Sequence, residues 1–196
     1  MAGILKVDRI QSDSNLAFAI AGSNVAFMNA TSLQMTSSNI SLGGTNVFTS
    51  GKLVTAAQPT GAVLQVVQAN TTVSISTSST SFVTTNFSVS ITPSSVSSKV
   101  LLFVNGGGAY NVGANRSQFG TIFRGATNLG DATYGLERFF SGTDALSPHS
   151  MSVLDSPATT SSTTYTCYHR SGSAASVEFS ATDRSLITFT AMEIAG

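Results

Sequence analysis

Charge is what this sequence has least of. Asp, Glu, Lys and Arg make up 9 % of its 196 residues, against roughly 25 % in an ordinary soluble domain. Nine basic residues balance nine acidic ones, so the net charge is zero. A neutral chain lacks the phosphate-neutralising term that drives nucleic-acid binding, which excludes nucleic acid as an expected partner. Low charge also lets apolar faces meet without burying ions, as suits a chain that covers its surface with other subunits. Cysteine is nearly absent. Cys167 stands alone, so no disulfide can form within one chain. Its setting, Tyr165–Tyr168, alternates like a strand, and the expected role is a small buried apolar side chain. His169, close by, is expected on the opposite face of that strand. No apolar run approaches the ~20 residues that span a bilayer, so no membrane insertion is expected. Asp8 and Arg9 stand where a secretory signal would have its apolar centre, which points to use without export by that route.

What is present is strand pattern. The stretch Ser81–Gly108 anchors the reading. Phe87, Val89 and Ile91 alternate with Ser88, Ser90 and Thr92, the period of a strand with one buried face. Pro93 and two serines end that strand, because proline has no N–H for the ladder. Lys99–Val104 then runs apolar on both faces, as a strand covered on both sides would. Gly106–Gly108 closes it, and the three pieces read as the core hairpin of a sandwich. Further strands are expected over 62–68, 71–77, 118–124, 151–154, 163–170, 176–180 and 186–194. The connections are rich in Ser, Thr, Gly and Asn, and the longest irregular piece runs over 128–150. The closing strand should be paired and buried, since a free apolar edge aggregates, and is placed centrally, near the axis of an oligomer. Glu193 within it would meet an Arg across an interface or sit at a solvated strand end.

The Gln58–Gly61 turn marks a domain boundary. Before it, Phe18–Val25 aligns with Ile40–Val47 at a constant offset of 22 residues. Each copy reads as a short strand, a Gly-[Ser/Thr]-Asn turn and another short strand. Two copies are too few for a solenoid, but strips this thin can be stabilised by winding around identical strips. The alternative is two unrelated hairpins on a globular domain. The fold class is therefore all-β: an elongated N-terminal β-hairpin stalk over 1–58 and a C-terminal antiparallel β-sandwich, a jelly-roll head, over 59–196. Leu5, Val7, Ile10, Phe18, Ile20, Val25, Phe27, Ile40, Leu42 and Val47 are the stalk residues expected to make trimer or virion contacts.

Motifs for chemistry are poorly represented. His149 and His169, the only histidines, stand at no metal-ligand spacing from each other or from Cys167. No Gly-x-Ser-x-Gly elbow places a nucleophile, and Gly106–Asn111 lacks the Lys-[Ser/Thr] of a phosphate loop. Neither an enzyme nor a cofactor is expected. Binding remains. Tyr110, Arg116, Tyr134, Arg138 and Phe139, with Phe140 beside it, lie in or near loops, and aromatics with arginine are the usual anchors of recognition surfaces. They form the candidate receptor-facing loop set, although the Phe139–Phe140 pair fits a core equally well.

Three stretches resemble bacteriophage virion fibre and decoration proteins. Gly61–Gln68 resembles the strand that opens many fibre-head domains, Ser90–Lys99 their central hairpin, and Ile187–Ile194 (ITFTAMEI) their closing strand. The likeness covers roughly 61–196 and extends more loosely to the N-terminal stretch. It implies a homotrimer bound to capsid or tail proteins through its N-terminus, made in the host cytoplasm and displayed on the virion. A capsid fibre, a cement protein and a tail fibre fit equally well. The alternative function is a lectin-like module that recognises a host surface glycan.

Overall fold

Strands are the regular elements of the computed structural model, which describes residues 16–20, 23–28, 33–35, 39–42, 45–49, 52–53, 58–111, 113, 115–180 and 185–196. The chain falls into two units, Met1–Gln58 and Pro59–Gly196. Leu5, Val7 and Ile10 lie outside the described residues.

In the first unit, β1 (Leu16–Ile20), β2 (Ser23–Met28) and β3 (Leu33–Met35) form one antiparallel sheet. A second sheet holds β4 (Asn39–Leu42), β5 (Thr45–Thr49) and β6 (Lys52–Leu53). The sequence repeat is also a repeat of register. Phe18 pairs with Ala26, Ala19 with Asn24 and Ile20 with Ser23. The equivalent pairs, Ile40 with Phe48, Ser41 with Asn46 and Leu42 with Thr45, carry the same irregularity one residue after the first pair. Phe18, Ile20, Val25 and Phe27 thus belong to one hairpin and Ile40, Leu42 and Val47 to the other.

The second unit is a sandwich of two antiparallel sheets. One has the order β7 (Val63–Thr71), β17 (Ile187–Ile194), β10 (Lys99–Asn111), β16 (Val177–Ser180), β8 (Ile75–Thr77), with β14 (Ala145–Asp155) also paired to β10. The other has the order β12 (Thr127–Asn128), β11 (Arg116–Arg124), β15 (Thr163–Ser171), β9 (Val83–Ile91), with β13 (Glu137–Ser141) paired to β11. The inward rows meet in an apolar core that includes Phe87, Val89, Ile91, Val100, Leu102, Val104, Ile122, Met151, Tyr165, Ile187 and Phe189. Burying each such side chain is worth ~1.5–3 kcal/mol.

The Ser81–Gly108 stretch is not a hairpin. β9 pairs with β15, and β10 pairs with β17, β14 and β16. The two strands lie in opposite sheets and the Pro/Ser turn is an arch across the edge of the core. The physical reason is that both strands carry a fully apolar row, and two such rows bury each other by facing across the sandwich. Phe87 of β9 meets Phe189 of β17 with ring centres 5.8 Å apart. Glu193 holds the arch: its carboxylate accepts from the Ser94 amide (2.7 Å), the Ser94 hydroxyl (2.6 Å) and Gln65 Nε2 (2.6 Å). Burial works to raise its pKa, but these bonds outweigh that and hold the carboxyl below its ordinary value. At 1 % exposure it is not at a solvated strand end. β17 itself is paired on both edges, by β7 and β10.

Three other expectations change. Gly106–Gly108 do not end β10; they form an irregularity at which its partner switches from β17 to β16. Gly106 has φ +91°, and a Cβ there would run into the Leu186 carbonyl, so the backbones approach where only glycine fits. Residues 128–150 contain β13 and the first half of β14 rather than one long loop. Lys99–Val104 is buried on one face only, with Leu101 and Phe103 half-exposed on the other.

One end of the core is polar. Asn111, Gln118, His149, His169 and Ser171 are all buried there. Two-residue spacing puts His169 on the same inward face as Cys167, not the opposite one. His149 stacks on Phe179 with ring centres 4.1 Å apart and bonds Glu137 through Nδ1; His169 meets Phe179 edge-on. Burial, and then the nearby His149, push the His169 pKa down to about 4. Burial, and then the Glu137 charge, push the Cys167 thiol well above its ordinary value, which leaves it an unreactive thiol at neutral pH.

Candidate functional site

The outward face of the β11–β13–β15 sheet gathers arginine and aromatic side chains. Strand alternation produces it. In β11 the inward residues include Gln118 and Ile122, so Phe119 and Phe123 point outward. Register then places Arg138 of β13 beside Phe119, and Phe140 beside Ser117. On the other edge Arg170 of β15 pairs with Phe119, and Tyr168 with Thr121.

Phe119 sits at the centre, 5 % exposed. The Arg170 guanidinium lies 4.2 Å from its ring centre and the Arg138 guanidinium 5.7 Å. Tyr134 packs against it at 5.8 Å. Arg138 also stands 5.8 Å from Phe140, and Arg170 5.5 Å from Phe82. Contacts of this kind are worth ~0.5–1 kcal/mol at exposed sites and more when desolvated.

Tyr134 is presented by a tight loop. Asp131 accepts from the amides of Thr133 (2.8 Å) and Tyr134 (2.7 Å). The Tyr134 amide first, then that of Thr133, hold its carboxyl below the ordinary value. Arg170 then ties this loop to the next: it donates to the Thr133 carbonyl, and through Nη1 to the Thr80 carbonyl at 3.1 Å. A depression of about 320 Å³ lies between them, lined by Thr80, Ser81, Phe82, Ala132, Thr133 and Arg170. Arg170 is thus spent internally. Tyr134 and Phe140 are more than half exposed, and Arg138, over the Phe119 and Phe140 rings, donates to the Ser117 hydroxyl at 3.3 Å. Rigid aromatics flanking a guanidinium can stack on a planar or sugar-ring partner and donate hydrogen bonds to it.

Of the residues singled out from the sequence, Tyr134 and Arg138 come together here. Tyr110 lies in the other sheet, on β10. Arg116 stands at the start of β11 with its guanidinium on the Ser176 carbonyl, 3.2 Å away. Phe139 falls on the face opposite Arg138 and Phe140, because alternate strand residues point apart. Phe140, noted beside Phe139, joins Tyr134 and Arg138, whereas Phe119 and Arg170 are not among the candidates. The alternation of Arg138 with Phe140 carried a signal for that pair, whereas Phe119 and Arg170 are brought in by strand pairing.

Among the described residues, no group of three or more His, Cys, Asp or Glu is arranged to hold a metal ion, and no helix is long and apolar enough to cross a membrane. No protein-family model matches the chain, and no curated protein matches it. Among solved structures, it is similar to the infectious bursal disease virus VP2 subviral particle, at 12 % identity and a TM-score of 0.39, over 87 % of this chain and 42 % of that one. Particles derived from the same virus match at 12 % identity and a TM-score of 0.34, over 87 % and 45 %. The structure of its Gx strain gives 12 % identity and a TM-score of 0.34, over 95 % and 41 %. The chain spans less than half the length of these proteins, and overlap this loose carries no argument about function.

Proposed function

We propose that this chain is a non-enzymatic structural protein of a virion, a homotrimeric fibre or capsid decoration protein attached through residues 1–58 and displaying the sandwich. The observation that carries the reading is the combination of 9 % charged residues with an all-β sandwich. Such a surface is suited to being covered by other subunits. The resemblance of 61–196 to phage fibre and decoration proteins supports the same reading, and the register-matched hairpins of the first unit fit strips that wind around copies of themselves. Immunogold electron microscopy of particles from the host that makes this chain is the test. Gold on the virions is the expected result, and label confined to soluble protein contradicts the reading.

A second reading, recognition of a host surface glycan, is favoured by the Tyr134–Arg138–Phe140 arrangement. Binding on a glycan array that is abolished by Tyr134→Ala and by Arg138→Ala is expected of a lectin-like head. A blank array rules that role out for the glycans printed.

A further inference from the structure

The outward face of the other sheet is of a different kind. Strand pairing sets Val66, Met192, Leu101 and Leu154 side by side across β7, β17, β10 and β14. Val66 is 55 % exposed and Leu154 51 %, with Met192 and Leu101 half-exposed between them. Strands lie ~4.8 Å apart, so the apolar stripe runs about 15 Å across the sheet. Val63, 56 % exposed, and its partner Ile194 extend it at one end. The next row, Gln68–Thr190–Phe103–Ser152, and the one after, Asn70–Thr188–Asn105–Ser150, are amide and hydroxyl side chains around one phenylalanine.

Charge is kept off the four strands of the stripe, although Glu178 of β16, in the same sheet, lies outside them. The acidic side chains of these four strands, Glu193 and Asp155, are buried inside the sandwich. Asp155 is held there by Arg124 at 2.7 and 2.8 Å and by the Tyr165 hydroxyl at 2.8 Å. Among the described residues of these strands only Lys99, at the end of β10, is charged and exposed. The exposed arginine Arg138 is in the opposite sheet.

We infer that this face turns toward the threefold axis of the homotrimer, where the heads of the three copies meet, with the apolar stripe at its centre. The inference rests on the homotrimer reading above and deepens it by naming the surface. Two features select a second copy as the occupant. An ordinary protein surface would bring charges that the Val66–Met192–Leu101–Leu154 stripe, with Lys99 only at its margin, has no means to pair, and burying them unpaired is costly; another copy of the same stripe brings none. Asn, Gln, Ser and Thr side chains both donate and accept, so rows built from them can satisfy their own copies.

The test is the solution mass of the full-length protein by light scattering. Val66→Glu and Leu154→Glu, both at positions more than half exposed in the single chain, are compared with Arg138→Glu on the opposite face. Folding of each is checked by circular dichroism. The expected result is an oligomer for the unaltered chain and for Arg138→Glu, with at least a tenfold higher concentration needed to hold the Val66→Glu/Leu154→Glu double variant together. An oligomer that withstands the double variant undiminished overturns this face while leaving the proposed function standing. A monomeric unaltered chain overturns the face and the homotrimer together.

Discussion

His169 shows how a single buried group ties this fold to pH. Its pKa is about 4 in the folded protein against 6.5 when unperturbed, so the folded state binds the proton less readily than the unfolded one. The sign follows. Its contribution is fully present above pH 6.5 and is lost as pH falls from 6.5 through about 4, a loss of up to about 3 kcal/mol. Urea unfolding between pH 7 and pH 4 should therefore show stability falling with acid, and His169→Gln should flatten that slope. An unchanged slope in the variant would assign the acid sensitivity elsewhere. Little of this was legible in the sequence. Its burial follows from strand alternation, since His169 shares parity with Tyr165 and Cys167, but its neighbours Gln118 and His149 come from strands far away in the chain.

At the scale of elements, the Pro93–Ser98 arch is the decisive connection, because it sends the chain from one sheet to the other. Glu193 is the only acid of the closing strand, and its three bonds fasten that strand to the arch and to β7. Glu193→Ala would take this acceptor from Ser94, which is exposed, and from the half-buried Gln65, at a cost of about 1–2 kcal/mol. Thermal unfolding would register this as a drop of several degrees, and a variant as stable as the parent would remove Glu193 from that role. Strands were well read from the sequence: β9, β11, β15 and β17 lie within a few residues of their expected bounds. Pairing was not. Alternation says which residues face inward but not which sheet a strand joins, so an arch and a hairpin look alike when both flanking strands are apolar. The same limit hid the arginine–aromatic face. Arg138 and Tyr134 were visible as candidates, but Phe119 becomes their platform only through the β11–β13 register.

At the scale of the whole molecule, the two faces of the sandwich divide the surface by chemistry. One is apolar and hydroxyl-rich, the face proposed to meet copies of itself; the other carries Arg138 over Phe119 and Phe140, with Tyr134 on the same Phe119 ring, the arrangement proposed for an outside partner. The composition anticipates that division only as scarcity of charge. The measurement that tests the account most directly is the solution mass of the full-length protein and of residues 59–196, by light scattering. The account predicts about three times the 20.1 kDa chain for the full-length protein and a trimer that persists in the shorter form, because the head carries an interface of its own. Monomers in both forms would contradict it.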